Sequence, residues 1–192
     1  MKDDIDSVDF SSKMTKMRLP KIRLAKTSDS KPLAEFGART FDETFGPSNI
    51  PEDMEAYLST NYNPEQQLTE ILDPNLITLV AEWDGNIVAF SQIRHNQMAN
   101  SSLGEIPVEL WRFYLDRSWQ GSGFAYVLMD HTLEAASQLG GSIWLSVWEE
   151  NIRAIKFYKK CGFLEIGKKD FWLGQDQQTD RVLMMHLKVH FE

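Results

Sequence analysis

With a single cysteine, Cys161, in 192 residues, the chain cannot form an internal disulfide and has no thiolate set for a structural metal. The four histidines, at 95, 131, 186 and 190, lack metal-ligand spacing, so no metal is expected. No apolar run approaches the roughly 20 residues that a membrane span requires. Basic charge is scarce too. A net charge of −8 and a pI near 5.0 argue against a nucleic-acid partner, because phosphate neutralisation needs a basic footprint. Residues 1–17 carry Asp3, Asp4, Asp6 and Asp9 and no apolar stretch, which fits neither a secretory nor an organellar signal. We expect a disordered tail over 1–17, a single domain over 18–192 and a reducing, cytoplasmic location. There is no internal repeat and no low-complexity segment.

What is present suits one compact core: 42% hydrophobic residues, with six Trp, eleven Phe and five Tyr. Weak alternation over 18–24 suggests a first strand. Thr27 or Asp29 is a candidate cap for a helix whose stripe of Leu33, Phe36, Phe41 and Phe45 ends near Gly46. Pro51 and Pro64, each followed by Glu, read as first-turn prolines of helices over 51–60 and 64–72. Two apolar runs, 76–83 and 87–93, flank Asp84-Gly85-Asn86 and predict an antiparallel hairpin. A strand over 108–115 runs into Gln120-Gly121-Ser122-Gly123 and then a helix whose shared face is Phe124, Val127, Leu128, His131 and Ala135. Further on come a strand over 142–148, a basic helix over 151–160 stopped by Gly162, and closing strands over 163–167 and 181–187 around a polar loop, 175–180.

Glycines between a strand and a helix suit an anion, since converging backbone N–H groups and the helix dipole both favour negative charge. The turn is not a P-loop, which needs Gly-x-x-x-x-Gly-Lys-Ser/Thr. Nor is it a dinucleotide fingerprint, which needs glycine where Tyr126 stands. It does resemble the Gln/Arg-x-x-Gly-x-Gly/Ala pattern of the GCN5-related N-acetyltransferases, through Gln120, Gly123 and Ala125. The β-rich run 143–147 and then Asn151, Ala154, Phe157-Tyr158 and Gly162-Phe163 resemble the second half of that family's signature. The likeness spans roughly 18–188. Segments 51–58, 143–149 and 178–180 look like the PaiA-type spermidine/spermine acetyltransferases of bacteria. One departure stands out: Trp111 occupies a position where that subgroup carries a second acid, leaving Glu109 as the strand's only carboxylate.

The resemblance implies an α/β (α+β) fold with a central mixed, mostly antiparallel sheet of about seven strands, flanked by helices and splayed between the fourth and fifth strands. It implies acetyl-coenzyme A as cosubstrate and direct attack by an amine in a ternary complex. Backbone groups of Phe113, Tyr114 and Leu115 would bond the pantetheine arm. Gln120, Gly121, Ser122, Gly123, Phe124 and Ala125 would hold the pyrophosphate. Asn151 and Ala154 would meet the arm, Lys160 would meet phosphate, Tyr158 would protonate the departing thiolate, and Glu109 would serve as base through water. Each residue also has a plainer reading: a core strand, an N-cap, a solvated helix charge, a buried aromatic, a solvated strand residue.

Charge is unevenly spread. Between Thr40 and Ile93 stand ten acids, Asp42, Glu43, Glu52, Asp53, Glu55, Glu65, Glu70, Asp73, Glu82 and Asp84, without one Lys or Arg. In the family this stretch borders the acceptor side, so a small cationic amine, a polyamine such as spermidine or spermine, is the expected acceptor. A peptide or protein amine is the alternative enzyme reading, and a non-catalytic coenzyme A-binding regulator the alternative outside enzymes. A homodimer is left open.

Overall fold

The computed structural model describes residues 18–95, 107–174 and 176–187, so the expected tail over 1–17 lies outside the described residues. The chain runs β1 (Lys21–Leu24), α1 (Ser30–Phe45), α2 (Pro51–Asn61), α3 (Pro64–Leu72), β2 (Leu76–Trp83), β3 (Asn86–His95), β4 (Val108–Leu115), α4 (Phe124–Ser137), β5 (Ser142–Trp148), α5 (Ile152–Lys160), β6 (Leu164–Leu173) and β7 (Asp176–His186). The strands form one seven-stranded sheet in the order β1-β2-β3-β4-β5-β7-β6. Every neighbouring pair is antiparallel except β4–β5, which is parallel.

Local chemistry explains the element ends. In the β2–β3 hairpin Trp83 faces Asn86, and the two residues between them, Asp84 and Gly85, have φ of 47° and 80°. That left-handed pair supplies the twist a two-residue hairpin needs. Pro51 and Pro64 open α2 and α3, and the Asn63 side chain accepts a hydrogen bond from Gln66 N at 2.7 Å. At α1 the expected cap is otherwise engaged. Asp29 takes Arg23 at 2.6 and 3.0 Å and the Lys26 amide at 2.7 Å, so α1 starts at Ser30 after a short 3-10 turn.

Helices cover both faces. Leu33 and Phe36 of α1 pack on Val80 and Phe90, and Phe41 packs with Met54, Tyr62 and Leu173. On the opposite face, Met129 and Ala136 of α4 and Ile155 and Tyr158 of α5 meet Val108, Leu110, Ile143, Leu145 and Leu183. Each fully buried side chain of this size contributes roughly 1.5–3 kcal/mol. Two expectations need correction here. The inward face of α4 is Phe124, Leu128, Met129, Thr132 and Ala136, while His131 is exposed. Thr132 turns inward because its hydroxyl is satisfied by Leu128 O and Ser91 Oγ, both at 2.7 Å. The polar segment beginning at Asp176 is strand rather than loop: Asp180 pairs with Trp148 on one side and Lys169 on the other. Backbone ladders do not need apolar side chains, and the outermost hairpin tolerates polar ones.

The sheet opens at its middle. Only Val108↔Ile143 and Glu109↔Trp144 join β4 to β5. On the other edge of β4 the register runs Gln92↔Arg112 and then Ile93↔Leu110, which leaves Trp111 as an extra, unpaired residue. Such a bulge bends its strand and sharpens its twist. Beyond it β4 diverges from β5, and 110–115 have no strand partner on that side.

Candidate active site

The turn after β4 is built by short-range bonds. Asp116 accepts from Ser118 N at 2.9 Å and Ser118 Oγ at 2.7 Å, and its second oxygen receives Arg39 at 2.8 Å. Trp119 wedges against Trp83 and Phe124, with ring centroids 5.2 and 5.6 Å away. Gly121 and Gly123 take φ of 81° and 88°, and a Cβ on either would meet open space. Their glycine identity therefore reflects backbone conformation and an unobstructed approach to the amides. Ser122 N, Phe124 N and Tyr126 N find acceptors within the turn. The amides of Gly121, Gly123 and Ala125 make no hydrogen bond among the described residues. These unspent donors, at the N-terminus of a 14-residue helix, form a seat for an anion such as a pyrophosphate.

Facing the turn across the gap, α5 contributes Arg153, whose guanidinium donates to Gln120 Oε1. Sequence reasoning passed over Arg153 in favour of Lys160, which stands exposed about 10 Å further along the helix axis. Lys159 pairs with Glu165 at 3.0 Å. Asn151 is the N-cap of α5, its Oδ1 accepting from Ala154 N at 3.1 Å, which leaves its side-chain N–H groups unspent.

Rings line the floor of the gap. Phe113 stacks on Phe157 at 5.6 Å and meets Tyr158 edge-on at 6.4 Å. Tyr158 is buried, yet its hydroxyl makes no hydrogen bond among the described residues. The polar side-chain atoms there that are sealed from solvent without a partner are Gln67 Oε1, Trp144 Nε1 and Arg181 Nε. Tyr158 Oη is not one of them, so it opens onto accessible space. Burial, with Cys161 nearby, pushes its phenol well above the usual tyrosine value, which keeps it protonated and able to donate. Burial also pushes the Cys161 thiol up to about 11, so that side chain is a packed thiol and not a nucleophile.

Glu109 is buried, which removes its reading as a solvated strand residue. Its Oε2 receives Arg94 Nε at 2.7 Å, and it sits at the closed end of the gap, on the last rung between β4 and β5. The Trp111 ring lies between the Arg94 and Arg112 guanidiniums, each 3.8 Å from its centroid. Arg112 in turn is buried against Glu70 of α3 at 2.5 Å and Gln92 at 2.7 Å, and Gln92 also donates to Glu70 at 3.0 Å. This network fixes the bulge by tying it to a helix 42 residues away in sequence. Tyr114 points to the same side, its hydroxyl 3.1 Å from that of Tyr62.

The joint presence of a splayed parallel pair, a two-glycine turn with free amides and a buried donor tyrosine invites comparison with known proteins. Residues 40–163 match the family described as "Acetyltransferase (GNAT) family". The chain belongs to the GNAT family. A relative from Lactobacillus delbrueckii subsp. lactis, described as an uncharacterized N-acetyltransferase, is 31% identical over 84% of this chain and 95% of its own length. The spermine/spermidine N(1)-acetyltransferase of Bacillus subtilis is 35% identical over 46% of this chain and 60% of its own. Among solved structures, the PaiA N-acetyltransferase of Thermoplasma acidophilum, in complex with coenzyme A, superposes with a TM-score of 0.70 at 22% identity, covering 88% of this chain and 99% of that one. Among the described residues of this GNAT domain no cluster of His, Cys, Asp or Glu is arranged to hold a metal, and no helix is long and apolar enough to cross a membrane.

The structure divides the acid-rich stretch. Glu43, Glu70, Glu82 and Asp84 are neutralised by Arg39, Arg112, Arg23 and Arg18. Asp42 and Glu55 are not, and with Glu43 they line a groove of about 850 Å³ between the end of α1, α2 and the turn after β4, with Tyr62 and Arg117 also on its walls.

Proposed function

We propose that this GNAT-family chain transfers the acetyl group of acetyl-coenzyme A directly to a small primary amine, and that the acceptor is a cationic polyamine such as spermidine or spermine. The opening between β4 and β5, flanked by the turn at 120–125, is the observation that carries the reading. When bound, acetyl-coenzyme A supplies the activated thioester. The amides of Gly121, Gly123 and Ala125 and the Arg153 guanidinium suit its pyrophosphate. The unpaired edge over 113–115 and the spare side-chain N–H of Asn151 suit its peptide-like arm, in the manner of an added strand. Tyr158 holds a proton at the floor of the gap for the leaving thiolate, and Lys160 is left to meet outer phosphate.

The polyamine is supported by Asp42 and Glu55, which line the groove without an ion pair among the described residues, and by the partial likeness to the Bacillus subtilis enzyme. The test is thiol release from acetyl-coenzyme A over a panel of polyamines, monoamines and lysine peptides. Polyamines are expected to give the highest kcat/KM; a panel in which peptides lead, or in which monoamines do equally well, sinks the polyamine assignment.

A further inference from the structure

We propose that Asp180 is the carboxylate that meets the acceptor's ammonium group and takes its proton, in place of Glu109. The inference rests on the amine-acetylation reading above and names the residue that would make it work.

Four carboxylates are buried among the described residues: Asp29, Glu70, Glu109 and Asp180. The first three are each held by an arginine, Arg23, Arg112 and Arg94. Asp180, 7% exposed, makes no ion pair among the described residues, and the Ser146 hydroxyl beside it favours its charged form. Its cross-strand neighbour Lys169 lends it charge without closing an ion pair, and a buried carboxylate in that state is costly to keep unless a cationic ligand completes it. Its location suits that ligand. Asp180 faces Trp148 across the β5–β7 ladder, so it shares the face on which Trp148 meets Phe45 of α1 at 5.8 Å. Ser146 stands on β5 two residues past the last rung that joins β5 to β4, which puts Asp180 one strand from the open gap.

The surroundings are aromatic and carry few charges. Tyr57 of α2 and Phe171 of β6 meet edge-on at 6.2 Å, and the Asp180 charge is felt at the Tyr57 hydroxyl, which burial first and then Tyr62 push up to about 12. Aromatic faces beside a carboxylate favour an ammonium ion. Lys169 of β6 is the nearby cation, and its Nζ lies over the Trp144 ring at 5.3 Å. Arg112 of β4 and Glu70 of α3 act on the same Tyr57 and neutralise one another. Burial holds the Asp180 carboxyl above its ordinary value, which narrows the gap to an amine. Glu109 sits instead at the closed vertex with Arg94 on it.

The step balances. One ammonium N–H bond breaks and its proton goes to Asp180, which later yields it to water. The freed nitrogen lone pair forms the C–N bond as the C–S bond breaks; the thiolate takes the Tyr158 proton, and the second proton leaves the nitrogen to water, from which the tyrosinate is reprotonated.

The experiment compares wild type, Asp180→Asn and Glu109→Gln, measuring acetyl-coenzyme A affinity by calorimetry and kcat/KM for spermidine from pH 7 to pH 10. Asp180→Asn is expected to bind acetyl-coenzyme A within about twofold of wild type and to lose about 100-fold or more in kcat/KM at pH 7. The deficit should shrink about tenfold per pH unit as free amine replaces ammonium. Glu109→Gln should show a loss that does not change with pH. Wild-type kcat/KM in Asp180→Asn, or a loss equal at every pH, overturns the assignment. Should Asp180→Asn fail to bind acetyl-coenzyme A, Asp180→Ala assayed with added formate decides, rescue supporting the role and its absence overturning it. A wild type that releases no thiol with any amine overturns the acetylation reading itself; turnover unimpaired in Asp180→Asn overturns only this residue's part.

Discussion

Replacing Tyr158 with Phe removes one oxygen and little else, which makes it a sharp probe of the leaving-group step. In the structure Tyr158 Oη makes no hydrogen bond among the described residues, so its loss forfeits no bond energy, and stability should change by less than about 0.5 kcal/mol, or roughly 2 °C in Tm for a chain this size. The chemical effect should be far larger. From ordinary values near 10 for tyrosine and about 8.5 for a thiol, proton donation is already uphill by about 2 kcal/mol, and burial of Tyr158 widens that gap. An unprotonated thiolate is a poorer leaving group still, and general-acid loss typically costs 10²–10⁴-fold. We therefore expect kcat to fall at least about 100-fold, close to 2.7 kcal/mol in barrier, with KM for both substrates nearly unchanged. Thiol release measured from pH 6 to pH 10, beside a thermal melt of each protein, reads both quantities. Full kcat in Tyr158→Phe at every pH would refute the donor role.

The remaining predictions concern the scaffold. Glu70→Ala leaves the buried Arg112 uncompensated and should cost about 3–5 kcal/mol in urea unfolding, whereas Glu70→Leu combined with Arg112→Met should recover most of it; additive losses would show that the two are not a pair. Gly123→Ala forces a side chain to φ 88° with no clash to add, so it should cost about 1–2 kcal/mol of stability and weaken acetyl-coenzyme A binding by about tenfold on calorimetry. Arg23, the largest cause, holds the Asp29 carboxyl below its ordinary 3.8, so its stabilisation is complete above that value and is lost as pH falls through the lower folded one. Asp29→Asn should flatten this acid limb of the stability curve. Asp180 has the opposite sign: burial raises it, so its favourable contribution is present below 3.8 and lost as pH rises through the folded value. Asp180→Asn should accordingly melt above wild type at pH 7 and no higher at pH 3, a reversal of which would contradict its buried, unpaired state.

Much of the fold was legible because its markers are local. Asp84-Gly85 announces a hairpin, Pro51 and Pro64 open helices, and Gly121 and Gly123 mark the turn where α4 begins. What escaped depends on partners distant in sequence. Trp111 is a bulge only relative to Gln92 and Ile93 across the ladder, so its presence in the strand read as a missing acid. Arg112 is held by Glu70, 42 residues away in sequence, and nothing local pointed to that pair. Thr132 was placed outside the α4 core stripe because its inward position is satisfied by Ser91, 41 residues away. The segment 175–180 looked like a loop from its polarity alone. Counting back by twos from Val182 would have placed Asp180 inside the sheet and flagged a buried acid.

Acyl transfer at the gap between β4 and β5 is read out by incubating the purified chain with acetyl-coenzyme A and spermidine while following thiol release and product mass. Steady thiol release is expected, matched by a product one acetyl group heavier, with kcat/KM for spermidine at least about tenfold above that for a simple monoamine. Tight binding of acetyl-coenzyme A with no thiol release above background, for any amine tried, would contradict it.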